Sequence, residues 1–248
     1  MPNFRLAKPI GQHCRIPFLP GTGVDMRTST QRVGLPGHFS AKEGMSAVGH
    51  EPEICTRIYD RHIHLCILQR VLGVDIKRYA AHVCQEYVGF ELAQPINVTY
   101  ARATLKTMLP PHPTLSAFAE DVGWVVEMFA CLFDLANVGL RLNVLAKTMC
   151  PRFHTDKVPC RLITTYAGKG TEWLDHKSMD HVMLAACNEF NEKAGRFAGQ
   201  TPIQCLQEGE IALLKGDRWD EQGSHGVIHR SPTLDPGEVR LLLTLDFV

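Results

Sequence analysis

The hydrophobic period of this chain changes near residue 137, and that change constrains the fold more than any other feature. Upstream, Phe118, Val122, Val125, Val126, Phe129 and Phe133 recur at helical spacing, predicting a helix that Thr114 or Ser116 can cap and that runs to about Leu135. Downstream of Asn137, Val138, Leu140, Leu142 and Val144 alternate with Gly139, Arg141 and Asn143, the two-residue period of a half-buried strand. Further strands are expected at 161–166, 210–214, 226–230 and 239–247, interrupted by one helical segment at 179–195. Earlier in the chain, 62–69 reads as a strand, and 74–86 as a helix with Ile76, Tyr79, Ala80 and Val83 on one face. The prediction is an α+β fold. A sandwich, jelly roll or small barrel occupies the C-terminal half, and helices from the N-terminal half cover the outside of its sheet. Three regions follow: a loosely ordered, Gly-, Pro- and Ser-rich extension over 1–48, a mainly helical supporting region over 49–136, and the strand-rich core over 137–248.

Charge narrows the function classes. Lys plus Arg and Asp plus Glu both number 26, and no basic tract stands out, so neither a nucleic-acid partner nor an anionic membrane surface is expected. The N-terminal segment lacks the apolar centre of a signal peptide, and the apolar run Trp124 to Ala136 carries Glu127 and Asp134. The nine cysteines include no CxxC pair, which suits reduced thiols in a cytoplasmic protein better than a disulfide framework or a zinc ribbon.

The stretch CPRFHTDKVPCRLITTYAGKGTEWL carries the chemistry. His154 and Asp156 are two apart, so an extended backbone presents imidazole and carboxylate on one side. Two histidines and a carboxylate that leave positions open are the ligand set of non-haem Fe(II) oxygenases. GVIHRSPTLDPGEVRLLLTLDF adds His229 on a short apolar strand and Arg240 eleven residues later. Arg240, Leu242 and Thr244 share one face of their strand. A guanidinium among apolar neighbours needs an anion, and a dicarboxylate co-substrate supplies one in the bidentate geometry that Arg prefers. His225 lies four residues before His229 and competes with it as ligand; the spacing to Arg240 favours His229.

The order HxD, distant His, then Arg resembles the Fe(II)/2-oxoglutarate-dependent oxygenase superfamily. HTDKVPCRLITTYAGKGTEWL is similar to its prolyl-hydroxylase-like pattern, in which HxD is followed by a strand ending in Tyr and a Gly-Gly-Glu-Thr-like turn. GEIALLKGDRW followed by HGVIHRSP resembles that group's Gly-led strand before the distal His. From about residue 50 to the end, the chain is also similar to an uncharacterised bacterial family that carries only a domain-of-unknown-function label, and that likeness brings no activity with it. The superfamily resemblance implies a double-stranded β-helix, Fe(II) on His154, Asp156 and His229, and 2-oxoglutarate held by Arg240. It further implies Tyr166 as a co-substrate contact, with Arg161 and Arg152 as candidates for orienting a ligand or meeting a carboxylate. The turn departs from the pattern, reading Gly168-Lys169-Gly170-Thr171-Glu172. The implied substrate is a small molecule or a protein side chain.

Other readings are weaker. AGKGT lacks the earlier Gly and the following Ser or Thr of a phosphate loop, and GTGVDM at 21–26 has no strand before it. His50-Glu51-Pro52-Glu53 with His62 and His64 suggests a zinc hydrolase, against which Pro52 argues. Cys150 and Cys160 show no local sign of an activated thiol. Trp173 and Trp219 are packing aromatics or the lining of a substrate mouth. A metal-binding barrel that stores, senses or delivers its metal is the non-catalytic alternative. In that case Arg240 pairs outside the ligand cavity with Glu210, Asp217 or Asp246.

Overall fold

The alternation after Asn137 builds the centre of the molecule. In the computed structural model, which describes residues 45–175, 203–220 and 226–248, it becomes strand β4 (Asn137–Leu145). Around it the chain forms β1 (Ser46–Gly49), β2 (Leu65–Leu68), β3 (Glu91–Asn97), β5 (Cys160–Ala167), β6 (Glu172–Leu174), β7 (Ile203–Cys205), β8 (Ile211–Lys215), β9 (His229–Arg230) and β10 (Arg240–Asp246). The helices are α1 (Val74–Glu86), α2 (Ala101–Met108) and α3 (Leu115–Phe133). A large sheet has the strand order β1-β2-β8-β5-β10-β4-β3, and a small one the order β7-β6-β9. The expected helix at 179–195 and the GTGVDM segment lie outside the described residues.

Strand parity decides what each face of the large sheet meets. Leu140 and Leu142 of β4, Leu162 and Tyr166 of β5, Leu213 of β8, and Leu241, Leu243 and Leu245 of β10 join the core formed with the helices. The opposite parity, including Ile67, Ile163, Ala212, Leu214 and Leu242, packs a second apolar layer with Leu206, Val227 and Trp173 from the small-sheet side. One face of the large sheet is therefore closed by helices and the other by the small sheet. Each fully buried Leu or Phe in these layers contributes about 1.5–3 kcal/mol.

Helix α3 is buried nearly all round, Trp124 and Met128 as fully as the predicted stripe, because α1 and α2 cover the face that the sheet does not. It ends at Asp134, whose φ of 53° is the left-handed conformation that stops a helix. Thr114 does stand at the N-cap, but its hydroxyl bonds His112 Nδ1 at 2.8 Å and leaves the helix without a side-chain cap.

Three strands of the large sheet precede residue 100, in the stretch whose sequence suggested mainly supporting helices. β1 is a four-residue strand in a Gly- and Ser-containing segment, parallel to β2. In β3, Pro95 interrupts the apolar pattern, yet the strand survives because it lies at the sheet edge and pairs only with β4. Among the described residues, no helix is long and apolar enough to cross a membrane.

Candidate metal centre and its cavity

His154 and His229 are joined backbone to backbone. Each N–H donates to the other's carbonyl at 3.0 Å, an antiparallel bridge that brings the imidazoles to 4.6 Å between centroids. The turn after His154 is latched from the other side. Asp217 N–H donates to the Asp156 carbonyl at 2.8 Å, and the Asp217 carboxylate accepts from Thr155 Oγ1 at 2.7 Å and Gly226 N–H at 3.1 Å. Gly216 is required here, since a Cβ would meet the Val158 carbonyl at 2.1 Å. Asp156 thus swings beside both rings, with Oδ2 3.4 Å from His229 Nε2 and Oδ1 3.9 Å from His154 Nε2.

The hydrogen bonds select which atoms are left for a ligand. His154 Nδ1 donates to the Arg152 carbonyl and His229 Nδ1 to the Val227 carbonyl, each at 2.9 Å. Both protons then sit on Nδ1, and both Nε2 lone pairs face the carboxylate. Asp156 Oδ1 accepts from Arg161 Nη1 at 2.8 Å, whereas Oδ2 is buried with no donor. The 3.4 Å approach of His229 Nε2 is no substitute, because lone pair meets lone pair in this tautomer. Burial works to raise the Asp156 pKa, but His229 and His154 when protonated, together with the Arg161 guanidinium, outweigh it and hold the carboxyl below its ordinary value. One orphaned carboxylate oxygen and two free imidazole nitrogens, all within 4.8 Å of one another, are a donor set that fits a divalent cation. Among the described residues this is the one group of three or more His, Cys, Asp or Glu placed to hold a metal, so the His50, Glu51, His62 and His64 constellation does not assemble.

The two histidines of the triad line a cavity of about 110 Å³. Four arginines line it: Arg141, Arg161, Arg230 and Arg240. Three have carboxylate partners. Arg161 Nε and Nη2 bond Asp246 at 2.7 and 2.9 Å, Arg141 Nη1 bonds the same carboxylate at 2.5 Å, and Arg230 Nε bonds Glu172 at 2.6 Å. Arg240 is the exception. It is 1% exposed, and its Nε and Nη2 reach only hydroxyls, Thr165 Oγ1 at 3.2 and 2.9 Å and Thr171 Oγ1 at 2.6 Å. None of Glu210, Asp217 or Asp246 pairs with it: Glu210 serves Gln69 and the Gln207 N–H, while Asp217 and Asp246 are engaged as described. Burial alone pushes the Arg240 pKa down to about 10.

Thr171 reaches Arg240 because the Gly168–Gly170 turn lies flat against neighbouring backbone. Gly168 has φ of +86° and a Cβ there would meet the Val239 carbonyl at 2.4 Å; one on Gly170 would meet the Leu206 carbonyl at 1.8 Å. The variant turn is thus built for close approach, and its Thr is turned toward the arginine.

Two sequence-derived assignments change. Tyr166 is on the helix face of β5, fully buried, with its hydroxyl donating to Asp121 Oδ2 at 2.6 Å, so it cannot touch a ligand in this cavity. Arg161 lines the cavity but is saturated by Asp156 and Asp246, which makes it a positioning residue for the triad carboxylate. Thr165, Thr171, Asp217 and Asp246 went unrecognised in these roles; strand parity with Arg161 could have found Thr165. Trp219 packs in the helix-side core against Tyr59 and Phe133, and Trp173 lies beside a different, smaller cavity. Cys160 is buried and its thiol pushed well above the usual range by that burial, which removes it as a nucleophile. His225 lies outside the described residues.

Comparison with known proteins adds the following. No curated protein matches the sequence. Among solved structures, a Pseudomonas putida prolyl-4-hydroxylase is similar at 11% identity and a TM-score of 0.40, over 78% of this chain and 96% of that one. A bsmA homolog from Methylobium petroleophilum is similar at 12% identity and 0.44, over 78% and 90%. A Neurospora crassa protein, solved with alpha-KG and 5-formyluracil, is similar at 12% identity and 0.38, over 73% of each chain. At this distance such likenesses fix no residue's role. The match that does place the chain is to a sequence family: residues 49–246 fit the family described as protein of unknown function (DUF1826), and the chain belongs to it.

Proposed function

We propose that this chain is an Fe(II)- and 2-oxoglutarate-dependent oxygenase whose two sheets form a double-stranded β-helix, acting on a small molecule or a protein side chain. The observation that carries the reading is Arg240, buried at 1% exposure without a carboxylate partner among the described residues, in the cavity that His154 and His229 of the triad also line. An uncompensated buried guanidinium costs several kcal/mol, so a fold that keeps one is matched to an anion that arrives later.

In this reading His154 Nε2, His229 Nε2 and Asp156 Oδ2 hold the metal. Arg161 fixes the Asp156 carboxylate through Oδ1 and leaves Oδ2 for the metal. Arg240 takes the distal carboxylate of 2-oxoglutarate, and Thr165 and Thr171 hold the guanidinium in position for it. Ile163 and Leu242 supply an apolar wall that limits water around the co-substrate. Bound together, Fe(II) and 2-oxoglutarate supply the oxidising chemistry that activates dioxygen for attack on a C–H bond.

The test is an anaerobic titration of metal-free protein with Fe(II) and then 2-oxoglutarate, following the visible metal-to-ligand charge-transfer band. The wild type develops the band, and Asp156→Ala, which loses a ligand, does not. Tight metal binding without a band, and without any effect of 2-oxoglutarate, would reject the oxygenase in favour of a metal-handling barrel.

A further inference from the structure

One carboxylate at the cavity, Asp246, serves two of the arginines that line it. Asp246 is shared, taking two nitrogens of Arg161 and one of Arg141, and Arg141 is the partner held by a single bond. The Arg141 side chain is also 51% exposed, against 20% for Arg161, which puts its charge at the cavity mouth.

A second group on the same strand face lacks a partner. Asn143 also lines the cavity, and its Oδ1 is buried with no hydrogen-bond donor. Residues two apart on one strand face are about 6–7 Å apart along the strand. Leaving a buried amide oxygen unsatisfied is unfavourable unless a ligand brings an N–H or O–H to it. Guanidinium and acceptor at this spacing match a molecule that carries a carboxylate and, a few bonds away, a donor.

We propose that the primary substrate is a small hydroxy or amino acid, its carboxylate bound by Arg141 and its hydroxyl or amino group by Asn143 Oδ1. This assignment rests on the function proposed above, since it takes Arg240 and the triad as already engaged.

The experiment is calorimetric titration of the anaerobic Fe(II)- and 2-oxoglutarate-loaded protein with three- to six-carbon hydroxy and amino acids. Each acid is paired with its primary amide and with the analogue that lacks the hydroxyl or amino group. In the wild type at least one acid binds, and its amide binds at least tenfold more weakly. Arg141→Gln erases the preference for acid over amide, and Arg141→Lys retains part of it. Asn143→Leu keeps the acid preference and erases that for the hydroxyl or amino group, which a merely misfolded variant would not do. Equal binding of acid and amide, no binding by any acid, or an undiminished acid preference in Arg141→Gln would each overturn the proposal. The charge-transfer band in the same wild-type sample reads the co-substrate assignment separately. A missing band with Arg141-dependent acid binding rejects the oxygenase and keeps the anion site; a band with no acid preference does the reverse.

Discussion

Two arginine side chains are buried on opposite faces of the same sheet, and their surroundings differ. Arg70, on the helix side, meets a carboxylate in fork geometry: Nη1 and Nη2 bond Asp121 at 2.6 and 3.1 Å, and Nε bonds the Gly209 carbonyl at 2.8 Å. The rings of Trp124 and Tyr166 lie 5.6 and 5.9 Å from its guanidinium. Arg240, on the cavity side, has two threonine hydroxyls. Burial lowers both pKa values, but at Arg70 the Tyr166 and Asp121 groups outweigh it and raise the value above that of free Arg, while Arg240 falls to about 10. Comparable burial with opposite electrostatics separates two uses of a buried charge. Arg70 is complete within the fold and ties α3 to the sheet. Arg240 has no carboxylate partner among the described residues, and of the two it is the one to pursue for function.

The largest expected effect breaks the complete site. Asp121→Ala strands the Arg70 guanidinium in the core and costs about 3–5 kcal/mol of stability in urea unfolding. Replacing both partners with apolar residues, Arg70→Met with Asp121→Leu, recovers most of that loss. Metal affinity stays at the wild-type level in whatever fraction remains folded. A loss below about 0.5 kcal/mol, as at ordinary surface sites, would remove the contrast between the two arginines.

The next effect reverses the sign. Arg240→Met removes a charge that the fold leaves uncompensated, so the protein without co-substrate is as stable as the wild type or more so. Its affinity for 2-oxoglutarate falls by roughly tenfold to a hundredfold, the loss of a charge-assisted bond worth about 1.5–3 kcal/mol. The paired measurement is urea unfolding without 2-oxoglutarate and a binding titration with it. An Arg240→Met protein as destabilised as Asp121→Ala would show that Arg240 is structural after all. A smaller version acts through the holder of the guanidinium. Thr171→Val deletes one of the two hydroxyl acceptors and weakens 2-oxoglutarate by about 1 kcal/mol, roughly fivefold.

How much of this was legible beforehand follows from the physics of strands. The two-residue period of β4 is written in its leucines and valines, and the spacing of His154 and Asp156 already joins two of the three groups that gather with His229. Period does not carry phase across strands. Whether Thr165 or Tyr166 of β5 faces the cavity depends on which face the helices cover, and Tyr166 falls in step with the helix-side leucines. Long-range pairing is equally invisible from local pattern. Asp246 orients Arg161 across 85 residues, so a residue that looked like a ligand contact is a brace for Asp156. β3 stayed hidden because Pro95 disguises a strand wherever an edge position cannot be foreseen.

The smallest effect tests that phase directly. Tyr166 and Thr165 are consecutive, yet the structure puts one in the Arg70 network and the other under Arg240. Tyr166→Phe deletes only the hydroxyl that donates to Asp121, whose carboxylate still has both Arg70 nitrogens. The expected cost is about 1 kcal/mol of stability, with 2-oxoglutarate affinity and the charge-transfer band unchanged. Thr165→Val removes a comparable bond one residue away, on the cavity side, where the guanidinium must be held for a ligand; its cost appears in 2-oxoglutarate affinity. If Tyr166→Phe instead weakened 2-oxoglutarate while leaving stability intact, the two faces of β5 would be exchanged. The carboxylate-paired and hydroxyl-paired arginines would then no longer mark structure on one side and function on the other.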